Sequence, residues 1–355
     1  MKDFNEYPTI ALDDDASCVV MIDQTLLPGR LELLRLSELS DIWEAIKLLR
    51  VRGAPAIGVT AGFAAYLAAK SQTTEDIFAF EKQFDADIDF LASSRPTAVN
   101  LFWALGRMKA AERDASKAGK NVAEIKQILL AEANAICSED IRICKSIGEH
   151  ALSLLRPGQG LLTHCNAGRL ATVEYGTATA AMYLGHERGY DFDVYCDETR
   201  PLLQGARLTA FELAAAGMHP TVLCDNMSAS LMKTGRIHAV FTGCDRVAAN
   251  GDSANKIGTS LLALAAKRYG VPFYICAPSS TLDMQTPNGE GIVIEQRAPE
   301  EVTEMWYSER MAPEGIGVYN PAFDVTDADL ITAIITEDGA IAPGDLKARY
   351  PVNVL

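Results

Sequence analysis

The sequence predicts an α/β protein: a C-terminal Rossmann-like parallel sheet domain preceded by a smaller N-terminal domain of a β-hairpin and helices. Three observations predict it. After Arg156-Pro157-Gly158, short apolar runs alternate with helical stretches, the rhythm of a parallel sheet covered by helices. Earlier in the chain, apolar residues recur at three-to-four spacing over long stretches, the mark of amphipathic helices. The chain has 355 residues, 48% hydrophobic and 22% charged, enough for a substantial core and, at roughly 150 residues per domain, for two domains.

Taken in order, CVVMIDQTLLPGRLELLRL holds two β-leaning stretches around the turn signal Pro28-Gly29. Helices are predicted over 41–50, 55–70, 74–93 and 96–119, separated by short polar or Gly/Pro breaks. The stretch 121–155 contains no proline within 121–155 and only Gly148, so it reads as a linking helix between an N-terminal domain, 1–120, and a catalytic domain, 156–355. Strands are predicted at 160–165, 192–196, 221–225, 239–244 and 272–277. Their uniformly apolar text suits a sheet buried on both faces.

Composition excludes several function classes. With 32 Lys plus Arg against 47 Asp plus Glu, the net charge of −15 repels polyanions, and no basic patch offers nucleic acid or an anionic membrane a docking surface. No apolar run reaches the ~18 residues of a membrane span, and the opening MKDFNEYPTI lacks signal-peptide order, so a cytoplasmic protein is expected. Eight cysteines form no CxxC pair and five histidines no HExxH cluster, so no metal site is expected and the thiols are read as reduced.

In an open parallel sheet the ligand crevice lies beyond the carboxyl ends of the strands. Those ends read Thr163-His164-Cys165-Asn166, Cys196-Asp197-Glu198, Cys224-Asp225-Asn226, Gly243-Cys244-Asp245-Arg246 and Ala277-Pro278-Ser279. Most of these thiols read as small core hydrophobes. Cys165 differs, because Asn166-Ala167-Gly168-Arg169 leads toward a helix expected near Val173, whose amides and the guanidinium would favour a thiolate. Asp245 opens a loop, 246–259, holding Asn255-Lys256 just before a helix start; a cap or an Arg246 partner is the plain alternative for it. Arg52-Gly53-Ala54-Pro55 and Arg95-Pro96 each aim a guanidinium and free helix amides the same way, which favours a phosphate pocket between the domains. Neither GxGxxG nor GxxxxGK[ST] follows a strand, which weakens nicotinamide-cofactor and nucleotide readings.

As a set, RGAPAIG (52–58), SRPTAVNL (94–101), THCNAG (163–168), DETRPLLQGARLTAFEL (197–213), GCDRVAANGDSANKIGT (243–259) and APEGIGVYNPAFDVT (312–326) resemble the methylthioribose-1-phosphate isomerase family, a family shared with translation-initiation exchange-factor regulatory subunits. The resemblance spans nearly the whole chain. It implies a homodimer that isomerises 5-methylthioribose 1-phosphate to 5-methylthioribulose 1-phosphate in methionine salvage, without metal or organic cofactor. Carried across, its catalytic residues fall on Cys165 and Asp245, and its substrate-binding residues on Arg52, Gly53, Ala54, Arg95, Gln204, Asn255 and Lys256. Related isomerases act on 5-deoxyribose 1-phosphate and ribose 1,5-bisphosphate, and a non-catalytic regulatory subunit on the same fold is the rival of another class.

The chemistry expected is ring opening with Asp245 as general acid, kept partly protonated by burial, followed by C2-to-C1 transfer. Transfer runs either as a proton through Cys165 or as a hydride with Cys165 in an electrostatic role.

Overall fold

A computed structural model describes residues 2–96 and 98–351; residues 1, 97 and 352–355, inside the ranges drawn above, lie outside that description. The chain divides into two compact units, one comprising 1–144 with 168–176 and the other 145–167 with 177–355.

In the first unit, strands β1 (Ile10–Asp13), β2 (Cys18–Ile22) and β3 (Leu33–Leu36) form an antiparallel sheet in that order. The expected hairpin around Pro28-Gly29 is the β2–β3 pair, and β1 is a third strand that its four-residue length hid. Five helices follow: α1 (Leu39–Lys47), α2 (Ala54–Ser71), α3 (Ile77–Ala92), α4 (Val99–Lys117) and α5 (Val122–Leu152). Helix α2, rich in Ala and Gly, is buried on every side from Ala56 to Ala69, as an all-apolar helix must be. Small side chains let α4 approach closely: a Cβ at Gly58 would lie 3.1 Å from the Asn100 carbonyl oxygen. Ile57, Phe63, Phe80, Phe84, Leu101, Leu129 and Ile136 fill this core. Asp76 caps α3 by accepting the Phe78 N–H at 2.9 Å.

Helix α5 is a single 31-residue rod, and the division between the units falls within it, at Cys144 and Lys145. Residues 168–176 return to the first unit. There the Leu170 carbonyl accepts Gln24 Nε2–H at 2.7 Å and the Arg169 guanidinium donates to the Tyr7 carbonyl at 2.6 Å.

The second unit is built on strands β4 (Gly160–His164), β5 (Asp193–Asp197), β6 (Thr221–Leu223), β7 (Ala239–Thr242), β8 (Arg246–Ala248), β9 (Ser253–Lys256), β10 (Phe273–Cys276), β11 (Leu282–Asp283), β12 (Phe323–Thr326), β13 (Ala333–Thr336) and β14 (Gly339–Ile341). Its helices are α6 (Ala180–Glu187), α7 (Ala210–Ala215), α8 (Ser228–Lys233), α9 (Thr259–Tyr269), α10 (Glu300–Thr303) and α11 (Leu346–Arg349). The main sheet runs β14-β13-β10-β7-β4-β5-β6, parallel except for the β13–β14 pair. Leu162, Val240, Phe273, Ile275 and Ile334 form its core. A four-stranded sheet, β11-β8-β9-β12, lies apart from it in pairing.

Two expectations need correction. Strand β6 is an edge strand with Thr221 and Val222 exposed, because only β5 pairs with it. The segment 246–259 is not loop throughout: β8 and β9 pair antiparallel within it and acquire partners in β11 and β12 that are remote in sequence. Among the described residues, no helix is long and apolar enough to cross a membrane.

Candidate active site

Strand order locates the crevice. From β4 the chain moves outward to β5 and β6, then crosses back to lay β7 on the other flank of β4. The switch point of the sheet is therefore between β4 and β7, where open α/β sheets place their ligands. Cys165 follows the last residue of β4, and Asp245 lies just past the end of β7. The two strands are parallel neighbours, with His164 opposite Thr242, so both residues follow the same end of the sheet on adjacent strands about 4.8 Å apart. Their loops touch. A Cβ on Gly243 would lie 2.5 Å from the Ala167 Cβ, so glycine there lets the two turns close on each other.

Cys165 is held in a left-handed conformation, φ +64°, uncommon for a residue with a Cβ. Two threonines clamp it: its N–H donates to Thr199 Oγ1 at 2.8 Å, and its carbonyl accepts from Thr209 Oγ1 at 2.6 Å. Thr199 and Leu203, at φ +66° and +57°, share that strained geometry. Such clusters concentrate where a site needs fixed, unusual directions. Thr209 closes a single π-helical turn, Gly205–Thr209, a local widening that often accompanies function. It also accepts from Asn166 Nδ2 at 3.1 Å, and Asn166 donates to the buried carboxylate of Glu212 at 3.3 Å.

Gln204 sits at the start of that turn, 5% exposed, and its Oε1 has no hydrogen-bond partner among the described residues. A buried acceptor left open costs roughly 1–3 kcal/mol, a cost a ligand hydroxyl would remove. Asp245 donates its N–H to the Ala254 carbonyl at 2.9 Å, which brings it next to Asn255 and Lys256. Asn255 is buried and donates to Thr259 Oγ1 at 3.0 Å, while Lys256 Nζ lies 4.5 Å over the Phe323 ring. Thus Cys165, Gln204, Asp245, Asn255 and Lys256 gather around the strand ends of the second unit.

The remaining predicted residues belong to the first unit. Gly53 is the N-cap of α2 at φ +92°, with Arg52 before it and Ala54 as the first helical residue. A Cβ at Gly53 would lie 2.4 Å from the Ala171 carbonyl oxygen, so only glycine fits against the returning 168–176 segment. Arg95 lies between α3 and α4, and Pro96 stands ahead of the Ala98 N-cap, outside the helical turn expected for it, so Arg95 does not directly precede a helix start. The close approach of Gly58 to Asn100, each within the opening turns of its helix, sets the starts of α2 and α4 near one another.

Two local expectations differ. No helix starts near Val173: a 3₁₀ turn occupies Arg169–Ala171 and α6 begins at Ala180, so helix amides do not explain Cys165. Asp245 is exposed rather than buried, because β7 ends at Thr242 and Asp245 stands on the rim beyond it. Of the other strand-end thiols, Cys196, Cys244 and Cys276 fit the packing reading, since burial pushes them upward, away from the thiolate, whereas Cys224 is exposed beside the edge strand β6.

Sequence reasoning passed over His164, Asp197 and Asp225. His164 Nδ1 lies 3.0 Å from Asp197 Oδ2 and its Nε2 lies 2.9 Å from the Ile257 carbonyl. Asp225 accepts the N–H groups of Thr199 and Arg200, each at 2.7 Å. The signal was present, since all three stand at the strand ends read from the sequence, His164 directly before Cys165.

A sequence model of the Initiation factor 2 subunit family matches residues 50–343. A methylthioribose-1-phosphate isomerase of Symbiobacterium thermophilum is 60% identical over 94% of this chain and 92% of its own. A 5-deoxyribose 1-phosphate isomerase of Petrotoga mobilis is 55% identical over 94% of this chain and 95% of its own. The crystal structure of 5-methylthioribose 1-phosphate isomerase from Pyrococcus horikoshii superposes with a TM-score of 0.91 at 41% identity, covering 96% of this chain and 94% of that one.

Proposed function

The chain belongs to the Initiation factor 2 subunit family, and from that premise we propose that it is an aldose–ketose isomerase converting 5-methylthioribose 1-phosphate to 5-methylthioribulose 1-phosphate in methionine salvage. One observation carries the reading: a thiol and a carboxyl follow adjacent parallel strands at the switch point of the sheet, and we read them as flanking one sugar ring.

An aldose with phosphate on its anomeric oxygen cannot open by itself, so the enzyme has to break the bond between C1 and the ring oxygen. Asp245 protonates that oxygen as general acid. Asp245 is exposed in the free chain, where a bound sugar would cover it. Hydrogen then moves from C2 to C1, with Cys165 held by Thr199 and Thr209, and the C2 hydroxyl gives up its proton as the ketone forms, returning the acid proton to the Asp245 carboxylate. The two routes, proton transfer through the thiolate or direct hydride shift with Cys165 acting electrostatically, differ in where the hydrogen comes from. Gln204 and Asn255 bind sugar hydroxyls; Arg52, Arg95, Lys256 and the amides at Gly53 and Ala54 bind the phosphate. No step requires a metal or an organic cofactor.

The decisive experiment compares kcat/KM for 5-methylthioribose 1-phosphate, 5-deoxyribose 1-phosphate and ribose 1,5-bisphosphate. A preference of at least tenfold for the first is expected, and turnover of none refutes the reading. Faster turnover of the deoxy sugar establishes the second reading, which the Petrotoga mobilis relative favours. In deuterated water, solvent label at C1 marks proton transfer and its absence marks hydride movement. The resemblance also supports a cytoplasmic homodimer, which sedimentation at micromolar concentration tests.

A further inference from the structure

We propose that His164 is a positioning residue for the Asn255–Lys256 turn, tying the strand that presents Cys165 to the peptide that follows Lys256. This rests on the reading of Asn255 and Lys256 as substrate-binding groups.

His164 is 1% exposed, and both ring nitrogens face oxygen. The Ile257 carbonyl can only accept, so Nε2 carries a hydrogen. On the other side, Asp197 already accepts the Ser228 hydroxyl through Oδ1, and its Oδ2 faces Nδ1 as a second acceptor. The ring is therefore fixed at both nitrogens. Burial penalises the charged ring, yet the hydrogen bond and charge of Asp197, with Asp225 behind it, hold His164 above its ordinary value.

The turn is shaped around this ring. Gly258, at φ +102°, lies so close that a Cβ there would come within 2.9 Å of His164 Cε1. On its far side the Asp324 carboxylate accepts the N–H groups of Gly258 and Ser260 at 2.8 and 3.1 Å, and Ile257 N–H donates to the Ala322 carbonyl at 3.1 Å. The peptide between Lys256 and Thr259 is thus pinned at each polar group. Thr259 Oγ1 donates to the Lys256 carbonyl at 2.7 Å and accepts from Asn255 Nδ2 at 3.0 Å, so both ligand-facing side chains inherit their direction from the turn.

His164, Asp197 and Asp225 also offer ligand atoms within 4.8 Å of one another. Each of those carboxylates is already engaged by the ring, a hydroxyl or backbone N–H groups, so the cluster closes on itself as a hydrogen-bond network.

Two variants separate positioning from general support. In His164→Asn the amide reaches toward Asp197 but not Ile257; in His164→Gln the longer amide reaches the Ile257 carbonyl. Steady-state kinetics with 5-methylthioribose 1-phosphate should show KM raised at least tenfold in His164→Asn, kcat lowered less, and most of the KM defect restored in His164→Gln, at equal thermal midpoints. A KM within twofold of wild type in both variants overturns the proposal. So does an equal loss of KM, kcat and thermal midpoint in both. If His164→Asn does not fold, His164→Gln decides alone: near-normal KM supports the proposal, and KM and kcat damaged alike overturn it. If the wild type turns over none of the sugars, the functional reading fails separately, and the variants are compared by calorimetric binding of inorganic phosphate. There a tenfold weaker Kd in His164→Asn alone sustains the positioning role, and equal affinities overturn it.

Discussion

Asp140 on helix α5 is a buried carboxyl in the first unit, 8% exposed, and its protonation should govern the stability of that unit. Its Oδ2 accepts the Val173 N–H at 2.7 Å and its Oδ1 faces the Cys144 thiol. Burial pushes it from the ordinary 3.8 up to about 7, with Glu174 adding repulsion, while those two donors oppose the rise only partly. Between these values the folded chain keeps a proton that the unfolded chain releases. Stability is therefore full below about pH 4 and declines as pH rises through about 7, then levels off. The interval is roughly three pH units, which at 1.36 kcal/mol per unit sets an upper limit of about 4 kcal/mol. Asp140→Asn keeps an acceptor for Val173 N–H and removes the titration. Urea denaturation of wild type and variant at about pH 4 and about pH 8.5 should give near-equal stability at the lower pH and a variant more stable by roughly 2–4 kcal/mol at the higher. A stability difference that is the same at both pH values refutes the reasoning.

Asp245→Asn, which keeps shape but loses the acid proton, should lower kcat at least ~100-fold, and near-normal turnover would remove Asp245 from the mechanism. Thr209→Val leaves the Cys165 carbonyl and Asn166 each short of a buried partner. It should cost about 1–3 kcal/mol in denaturant titration and reduce kcat more than KM changes; unchanged kcat would show that the clamp is idle. Gly53→Ala combines a φ of +92° with a Cβ 2.4 Å from the Ala171 carbonyl oxygen. A loss of roughly 1–3 kcal/mol and a raised KM for the sugar phosphate are expected, and a variant as stable as wild type contradicts the packing described.

Periodicity made much of this legible. The four N-terminal helices, the long helix and five of the seven strands of the main sheet appear close to their expected limits, because long apolar repeats and short uniform runs report burial directly. Strands β13 and β14 of that sheet were not expected. Strands β8, β9, β11 and β12 were hidden. They are two to four residues long and gain their partners from segments far along the chain, which no local window records. The thiol and carboxyl candidates were visible because strand-end residues are readable once the strands are known.

What the sequence by itself determined is the chemical inventory and the order of the strands along the chain: a cysteine after one apolar run, an aspartate after another, arginines ahead of helix prolines. Only the tertiary structure decided that β4 and β7 are neighbours, that two threonines from another loop bind the backbone of Cys165, and that His164 spans Asp197 and the Ile257 carbonyl. The reason is physical. Burial patterns are set by each segment's own side chains, whereas pairing order and buried hydrogen bonds depend on which remote groups are left needing partners when the core closes.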